Sequence, residues 1–366
     1  MPPGGGDAVL VINAGSSSIK AALLSPDGAC RWREQRPWHP GAGEDDAGAP
    51  ERVLAEWLAP ALDAHHDALL LVGHRVVHGG ERFVAPTPLD AGALQAIEDL
   101  VPLAPLHNGP ALLAMRWLRQ RWPDLPQWAC FDTAFHATLP PAAHTYAVPA
   151  AWCRQGLRRF GFHGLNHQHV SQVVSRGQAE RPATAPPRLI SAHLGAGCSL
   201  CAIRGGRSID TTMGFTPMEG LVMATRCGSV DPGLLLHQLR QGMTEEDLDR
   251  TLNSASGLLG LSELSSSMKE LRQASAEGHA GARLAIEVFR HALLQGIGAM
   301  AASLGGVDVI ALTGGIGEHD QQLRGELAED LAWLRPFELI VVPADEEGLI
   351  ARSCLRARSG EQTAPC

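Results

Sequence analysis

The stretch VLVINAGSSSIKAALL, residues 9–24, decides the fold. Val9 to Ile12 is an apolar, β-branched run, AGSSS interrupts it, and Ile19 to Leu24 resumes, which reads as strand, small-residue turn, strand. The same grammar returns in LISAHLGAGCSLCAIRGG, residues 189–206. Two such units in one chain predict a fold of two similar halves, each offering one tight turn toward a shared cleft. A third glycine-rich turn is expected in VDVIALTGGIGE (307–318), after a strand spanning Val307 to Thr313. Three strand-to-glycine turns suit a ligand that carries several phosphates, because small residues let backbone N–H groups approach an anion.

Between these turns, apolar residues recur at i, i+3 and i+4 over Leu94 to Val101, Gly109 to Arg121, Val170 to Ser175, Pro232 to Gln241, Glu245 to Asn253 and Ala282 to Ser303. Helices alternating with strands make the class α/β. Segments 39–50 and 177–188 lack periodicity and are rich in Gly, Ala and Pro, so they read as loops, and the residues from Arg356 onward read as a short tail.

Composition narrows the function. The 366 residues are 45% hydrophobic and 19% charged with a formal net charge of -9, which fits a globular chain of two domains and argues against a nucleic-acid partner. No run approaches the roughly 18 consecutive apolar residues of a membrane span, and the start MPPGGGDAVL has neither a basic region nor an apolar signal core, so a cytoplasmic location off the membrane is expected. The eight cysteines are scattered; the close pair Cys198 and Cys201 is a weak zinc or redox signal beside the alternative of small apolar strand residues. Only Lys20 and Lys269 are lysines among 30 basic residues.

Several segments carry candidate chemistry. In NAGSSSIK (13–20), Asn13 and the hydroxyls of Ser16, Ser17 and Ser18 are placed to donate to phosphate oxygens, with Lys20 nearby; the alternative is an ordinary serine-rich hairpin. In GHRVVHGGE (73–81), Arg75 sits in an apolar strand and either pairs with an anion or points to solvent from an edge. PLAPLHNGPAL (102–112) and CFDTAFHATLP (130–140) place His107 and Asp132 just past apolar runs, and Asp132 reads as a carboxylate that positions a metal-bound water or a nucleophile. RRFGFHGLNHQHV (158–170) offers His163, His167 and His169 as a metal triad, as structural histidines, or with His163 as a catalytic contact to an anion. TTMGFTPMEGLVMATRCGSVDPGLL (211–235), which holds Arg226, reads as a helix-poor loop lining a small apolar pocket or as a plain core loop.

Taken in order, VINAGSSSIK, GHRVVHGGE, PLAPLHN, FDTAFH, FGFHG, HLGAG, SIDTTMGFTPMEGLVMATRCGSVDP and GGIGE resemble the acetate kinase family of short-chain acyl kinases over nearly the whole chain. The resemblance implies the actin, Hsp70 and sugar-kinase fold: two duplicated α/β domains around a nucleotide cleft. The first would comprise residues 1–134 with a returning segment 345–366, and the second, for nucleotide and dimerisation, residues 135–344. It implies reversible phosphorylation of acetate by ATP to acetyl phosphate and ADP, with Mg2+ or alternatively Mn2+, in a homodimer.

Matched position by position, the resemblance gives Arg75 and Arg226 the carboxylate and the transferring phosphoryl oxygens, with His163 and Arg226 as transition-state stabilisers. Asn13, Asp132 and Glu346 would organise the metal and the nucleophile, and Val77, Leu106, Phe162 and Pro217 would form the acyl pocket. Ser16, Ser18, Lys20, His193, Leu194, Gly195, Ala196, Gly197, Ser267, Met268, Lys269, Gly314, Gly315, Ile316, Gly317 and His319 would meet the nucleotide. The chain departs from the family pattern at Ala196 (usually Asn), at Ser267, Met268 and Lys269 (usually Asp, Phe, Arg) and at His319 (usually Asn), all on the nucleotide side. Altered nucleotide affinity is therefore expected. A propionate or other short-chain acyl kinase and a non-catalytic nucleotide-binding relative are the alternative readings.

Overall fold

The computed structural model describes residues 6–15, 17–38, 49–179 and 185–360, with the side chains of His66, Leu106, Gln178 and Ala179 set aside. These residues fall into two compact units, one running to Phe135 and resuming at Asp345, the other spanning His136–Ala344.

In the first unit, β1 (Ala8–Ala14), β2 (Ser18–Leu24), β3 (Cys30–Pro37), β4 (Leu69–Val76), β5 (Thr87–Pro88) and β6 (Gln127–Phe131) form a sheet in the order β3-β2-β1-β4-β6-β5. The β1–β2–β3 meander is antiparallel, and β4 and β6 then add in parallel. Nearly every residue of β1 is buried, as a strand covered on both faces requires. Helix Pro105–Arg121 serves two apolar clusters at once. Ala114 and Leu118 pack with Leu10, Ile12 and Trp38, while Leu112 and Met115 pack with Val76, Ile97 and Phe131. Helix Glu346–Arg358 lies on β1, β4 and β6. It approaches so closely that a Cβ at Gly73 would fall 2.7 Å from Ile350 Cγ2.

The second unit repeats the plan. Strands β7 (Arg188–Leu194), β8 (Cys198–Arg204), β9 (Arg207–Thr211), β10 (Val309–Thr313) and β11 (Glu338–Val341) run β11-β10-β7-β8-β9, with β7–β8–β9 antiparallel and β10 and β11 parallel. Read outward from β1 and from β7, the two sheets have the same order and the same directions over five strands, the first sheet adding only the short antiparallel edge strand β5, so the duplication seen in the two glycine turns extends through the sheets. Helix Ala280–Leu304 packs Phe289, Leu293 and Ile297 into this unit's interior.

The structure corrects some local expectations. The segment after β10 is not an open glycine turn: the chain bends at Gly314 (φ +78°) and enters helix Gly314–His319 at once. A Cβ at Gly314 would lie 2.8 Å from the Leu194 carbonyl oxygen, so glycine is required there. Of the loop expected over 177–188, the beginning belongs to helix Gly164–Ala179, residues 180–184 lie outside the described residues, and β7 begins at Arg188. That helix also starts well before Val170, because its first turn is polar and hides the apolar period. Helices Gly257–Ser262, Met268–Ala276 and Gln321–Asp330 were not visible as periodic segments. The tail read from Arg356 is helical to Arg358, and 361–366 lie outside the described residues, as do 39–48 of the loop read at 39–50.

Candidate active site

In the first unit, the chain order Asn13, Arg75, Asp132, Glu346 becomes one cluster because β1, β4 and β6 are parallel neighbours whose carboxyl ends coincide. The Arg75 guanidinium donates from Nε and Nη2 to Asp132 Oδ1 and Oδ2 at 3.2 and 2.5 Å, and from Nη1 to Asn13 Oδ1 at 3.1 Å. Glu346 Oε2, in the first turn of the returning helix, stands 3.6 Å from Arg75 Nε. Arginine in this strand therefore pairs with carboxylates rather than pointing at solvent. Asp132 is almost fully buried, which pushes its pKa up to about 6; Arg75 opposes that shift and the Glu346 charge adds to it.

The strand exit that carries Val77, itself buried, is locked by a residue the sequence reading passed over. Asn108, fully buried, accepts from the His78 backbone N–H at 3.1 Å and donates to the His78 carbonyl at 2.9 Å. Gly79 N–H donates to Thr133 Oγ1 at 2.9 Å, tying the same exit to the residue after Asp132. Ser18 opens β2, and Lys20 is exposed on it, in register with Asn13. Ser16 lies outside the described residues, and so does the side chain of Leu106.

The second unit holds a denser arrangement. His163 sits at φ +55°, a left-handed conformation that is costly for a non-glycine residue. Its ring stacks on His193, with centroids 4.2 Å apart and planes inclined by 26°, and its Nδ1 is 2.9 Å from Ser199 Oγ. His193 Nδ1 accepts from Asn166 Nδ2 at 2.8 Å. Arg226 Nη1 donates to the Pro217 carbonyl at 2.7 Å. Gly197 reveals where these groups point: a Cβ there would lie 3.0 Å from His163 Nε2 and 3.4 Å from Arg226 Nη2. Two side-chain nitrogens thus converge on one small volume beside Gly197.

The loop carrying Pro217 is pinned by the chain's single tyrosine. Tyr146 Oη donates to Glu219 Oε2 and accepts from the Phe215 N–H at 2.8 Å, while Arg159 Nη2 holds Glu219 Oε1 at 2.6 Å. Phe162 is buried, and its carbonyl accepts from His136 Nε2 at 3.0 Å.

Next to the Gly195–Gly197 turn lies a cavity of about 800 Å³. Gly195 and Ala196 line one side, Ser267, Met268 and Lys269 a second, and Gly315, Ile316 and His319 a third. His193, Leu194, Gly197, Gly314 and Gly317, expected with them, are not among its walls; Leu194, Gly314 and Gly317 are buried behind it. Ser267 caps helix Met268–Ala276, its hydroxyl facing Glu270 N–H at 3.4 Å. The reading of the sequence missed Arg272, which lines the cavity and whose guanidinium is bound to Asp320 at 3.1 Å and to Glu326 at 2.9 and 3.0 Å. No local pattern signals it, because both partners lie about fifty residues away.

A second cavity of about 810 Å³ runs along helix Ala280–Leu304, but its charged groups are already spent. Arg159 is held by Glu219 and two carbonyls, and Asp210 by Ser303 and the Thr211 N–H. Cys198 and Cys201 are both buried in β8, three residues apart and hence on opposite faces, and burial pushes the Cys198 thiol up to about 12. The three histidines of 163–169 diverge: His167 is buried between Ser191 and Ser199, and His169 faces the Pro343 carbonyl. Among the described residues no group of three or more His, Cys, Asp or Glu side chains is disposed to hold a metal ion, and no helix is long and apolar enough to cross a membrane.

Comparison with known proteins shows the family. The model of the acetokinase family matches residues 29–339. The chain is 42% identical to the acetate kinase of Synechococcus sp., covering 96% of this chain and 100% of that one, and 45% identical to that of Deinococcus radiodurans, covering 92% and 87%. The crystal structure of Porphyromonas gingivalis acetate kinase superimposes with a TM-score of 0.84 at 32% identity, covering 95% and 99% of the two chains. A propionate kinase from Francisella tularensis also gives 0.84 at 32%, covering 95% and 98%. The fold is that of duplicated actin and sugar-kinase-like α/β domains, and the chain belongs to the acetokinase family.

Proposed function

We propose that this chain transfers the terminal phosphoryl group of ATP to acetate, reversibly and with magnesium, giving acetyl phosphate and ADP. The observation that carries the reading is the convergence of His163 Nε2 and Arg226 Nη2 over Gly197, beside a cavity large enough for a nucleoside. Phosphoryl transfer demands positioning and neutralisation of charge on the equatorial oxygens rather than covalent chemistry, and two fixed nitrogen donors supply that. Arg75 and Arg226 orient the carboxylate and the phosphoryl oxygens, and His163 donates to the transition state. The carboxylate oxygen attacks phosphorus in line with the departing ADP oxygen.

Asn13, Asp132 and Glu346 fit a magnesium ion. They are hard oxygen donors, and two carboxylates face one guanidinium, which leaves negative charge for a cation to offset. When bound, the ion would neutralise charge on the phosphates; Mn2+ suits the same donors. In this reading Val77, Leu106, Phe162 and Pro217 would supply the acyl pocket. Since one methylene in such a pocket is worth only about 1–3 kcal/mol, propionate is the second substrate to compare.

Ser16, Ser18 and Lys20 serve the phosphates, and the walls Ala196, Ser267, Met268, Lys269, Gly315, Ile316 and His319 receive the nucleoside, with His193, Leu194, Gly197, Gly314 and Gly317 shaping the turns behind them. Residues 1–134 with the returning segment 345–366 act as the first domain and 135–344 as the nucleotide and dimerisation domain of a cytoplasmic homodimer. Because Lys269 cannot make the planar, forked contacts of an arginine, nucleotide affinity is expected to differ from that of the family.

The test is trapping of acyl phosphate as hydroxamate from ATP with acetate or propionate. The Arg226→Ala variant serves as control, and the parent is compared with Ser267→Asp/Met268→Phe/Lys269→Arg. Hydroxamate that depends on Arg226 is expected, with a lower KM for ATP in the triple variant. No hydroxamate from either acid would leave a nucleotide-binding protein without this activity, and an unchanged KM would remove the nucleotide argument.

A further inference from the structure

Behind His163 runs a chain of three hydrogen bonds that touches no proposed substrate atom. His163 Nδ1 is 2.9 Å from Ser199 Oγ, Ser199 Oγ is 2.8 Å from His167 Nε2, and His167 Nδ1 is 2.8 Å from Ser191 Oγ. Ser191, His167 and Ser199 are completely buried. Their placement follows from the fold. Ser191 and His193 lie two residues apart on one face of β7, Ser199 pairs opposite His193 on β8, and His167 sits one helical turn beyond His163.

Such a chain has two polarities, and the choice decides which nitrogen of His163 carries the proton. Ser191 Oγ has no other hydrogen-bond partner among the described residues. If it accepted from His167, its own hydroxyl hydrogen would be stranded in a dry interior; if it donates, only lone pairs go unused. Buried donors without acceptors are the costlier defect. Ser191 therefore donates to His167 Nδ1. Complete burial keeps His167 neutral, its pKa held well below the ordinary histidine value, so its single proton lies on Nε2 and is donated to Ser199 Oγ. The Ser199 hydroxyl then has one acceptor left, His163 Nδ1.

We propose that Ser191, His167 and Ser199 are positioning residues that fix His163 as the Nε2–H tautomer, so that it presents a donor and not a lone pair to the volume over Gly197. The inference rests on the phosphoryl-transfer reading, in which that volume receives an anionic oxygen. The opposite tautomer would set a lone pair against the oxygen and lose the interaction outright. The strained φ of His163 works to the same end, holding the ring where Nδ1 meets Ser199 and Nε2 meets the open volume.

The experiment is long-range 1H–15N correlation on the full chain with 15N-labelled histidine, assigned through His163→Gln, alongside kinetics of Ser191→Ala and Ser191→Thr. In the parent protein, His163 is expected to show protonated Nε2 and unprotonated Nδ1. Ser191→Ala leaves every direct contact of His163 in place, yet kcat is expected to fall about tenfold to a hundredfold, the range for groups that orient a functional histidine through another residue, with both KM values within about twofold. Its His163 signals should shift toward a mixture of tautomers, and Ser191→Thr, which keeps the hydroxyl, should restore them. A proton on Nδ1 in the parent overturns the proposal whether or not any variant folds, and so does an unchanged kcat in Ser191→Ala. The tautomer is read without turnover, so failure here is distinguishable from failure of the acyl kinase reading.

Discussion

Replacing Gly197 with alanine tests the site most directly. The backbone there lies outside the left-handed region and Gly197 keeps its role as acceptor from Gly195 N–H, so alanine adds a methyl group without main-chain strain. That methyl would stand 3.0 Å from His163 Cε1 and Nε2 and 3.4 Å from Arg226 Nη2. The first contacts are a few tenths of an ångström too tight, so the imidazole must yield slightly, at an overpacking cost of about 1–3 kcal/mol in stability. The consequence for activity is larger. The methyl occupies the volume assigned to a phosphoryl oxygen and pushes one donor away from it. Loss of a single well-placed donor of this kind costs about 2.7–4 kcal/mol, or roughly 10²–10³ in kcat. The walls of the nucleotide cavity do not include Gly197, so KM for ATP should move little. Hydroxamate formation gives kcat and KM, and thermal unfolding gives the stability change. Gly177→Ala, whose methyl meets nothing within 4 Å, is the control: kcat and KM should stay unchanged, while alanine in helix Gly164–Ala179 should gain up to about 1 kcal/mol in stability. A Gly197→Ala enzyme with kcat within about threefold of the parent would refute the claim that His163 and Arg226 act on an oxygen held over this glycine.

Two further outcomes follow from the same geometry. Tyr146→Phe removes the acceptor of the Phe215 N–H and a donor to Glu219, and should cost about 1–3 kcal/mol in urea unfolding and raise KM for acetate through the loosened Pro217 loop; an unchanged KM would detach the clamp from the acyl pocket. Burial pushes His74, His78 and His136 each down to about 4, below the unfolded value, so their neutral forms stabilise the protein fully above pH 6.5 and that contribution is lost as pH falls toward 4. His167, also held well below the ordinary value, adds in the same direction, and Asp132, pushed up, works in the opposite sense, one group against four. Unfolding free energy should therefore drop by roughly 1 kcal/mol per histidine between pH 7.5 and 5.5. Equal urea midpoints at the two pH values would contradict it.

Much of the architecture was legible locally. The strand–turn–strand runs at 9–24 and 189–206 announced β1–β2 and β7–β8, and the amphipathic periods announced helices Pro232–Arg240 and Glu245–Ser254 to within a residue. Polar helices escape the pattern: Met268–Ala276 opens at a serine-rich segment that reads as a turn, and its cap, Ser267, reads only as a ligand residue. The same blindness hid Arg272, Asn108 and the Tyr146–Glu219–Arg159 clamp, whose partners lie far off in the chain.

The sequence by itself determined the duplicated α/β plan and the family and singled out Arg75, Asp132, His163 and Arg226 as candidates, because hydrophobic period and motif spacing are properties of neighbouring residues. Only the tertiary structure decided that Asp132, Asn13 and Glu346 share Arg75, that His163 and Arg226 aim at one glycine, and that Ser191 stands at the far end of a proton-ordering chain. Those facts depend on which strand ends the parallel register brings level and on which hydroxyls burial deprives of water. Neither is written in any local stretch of the chain.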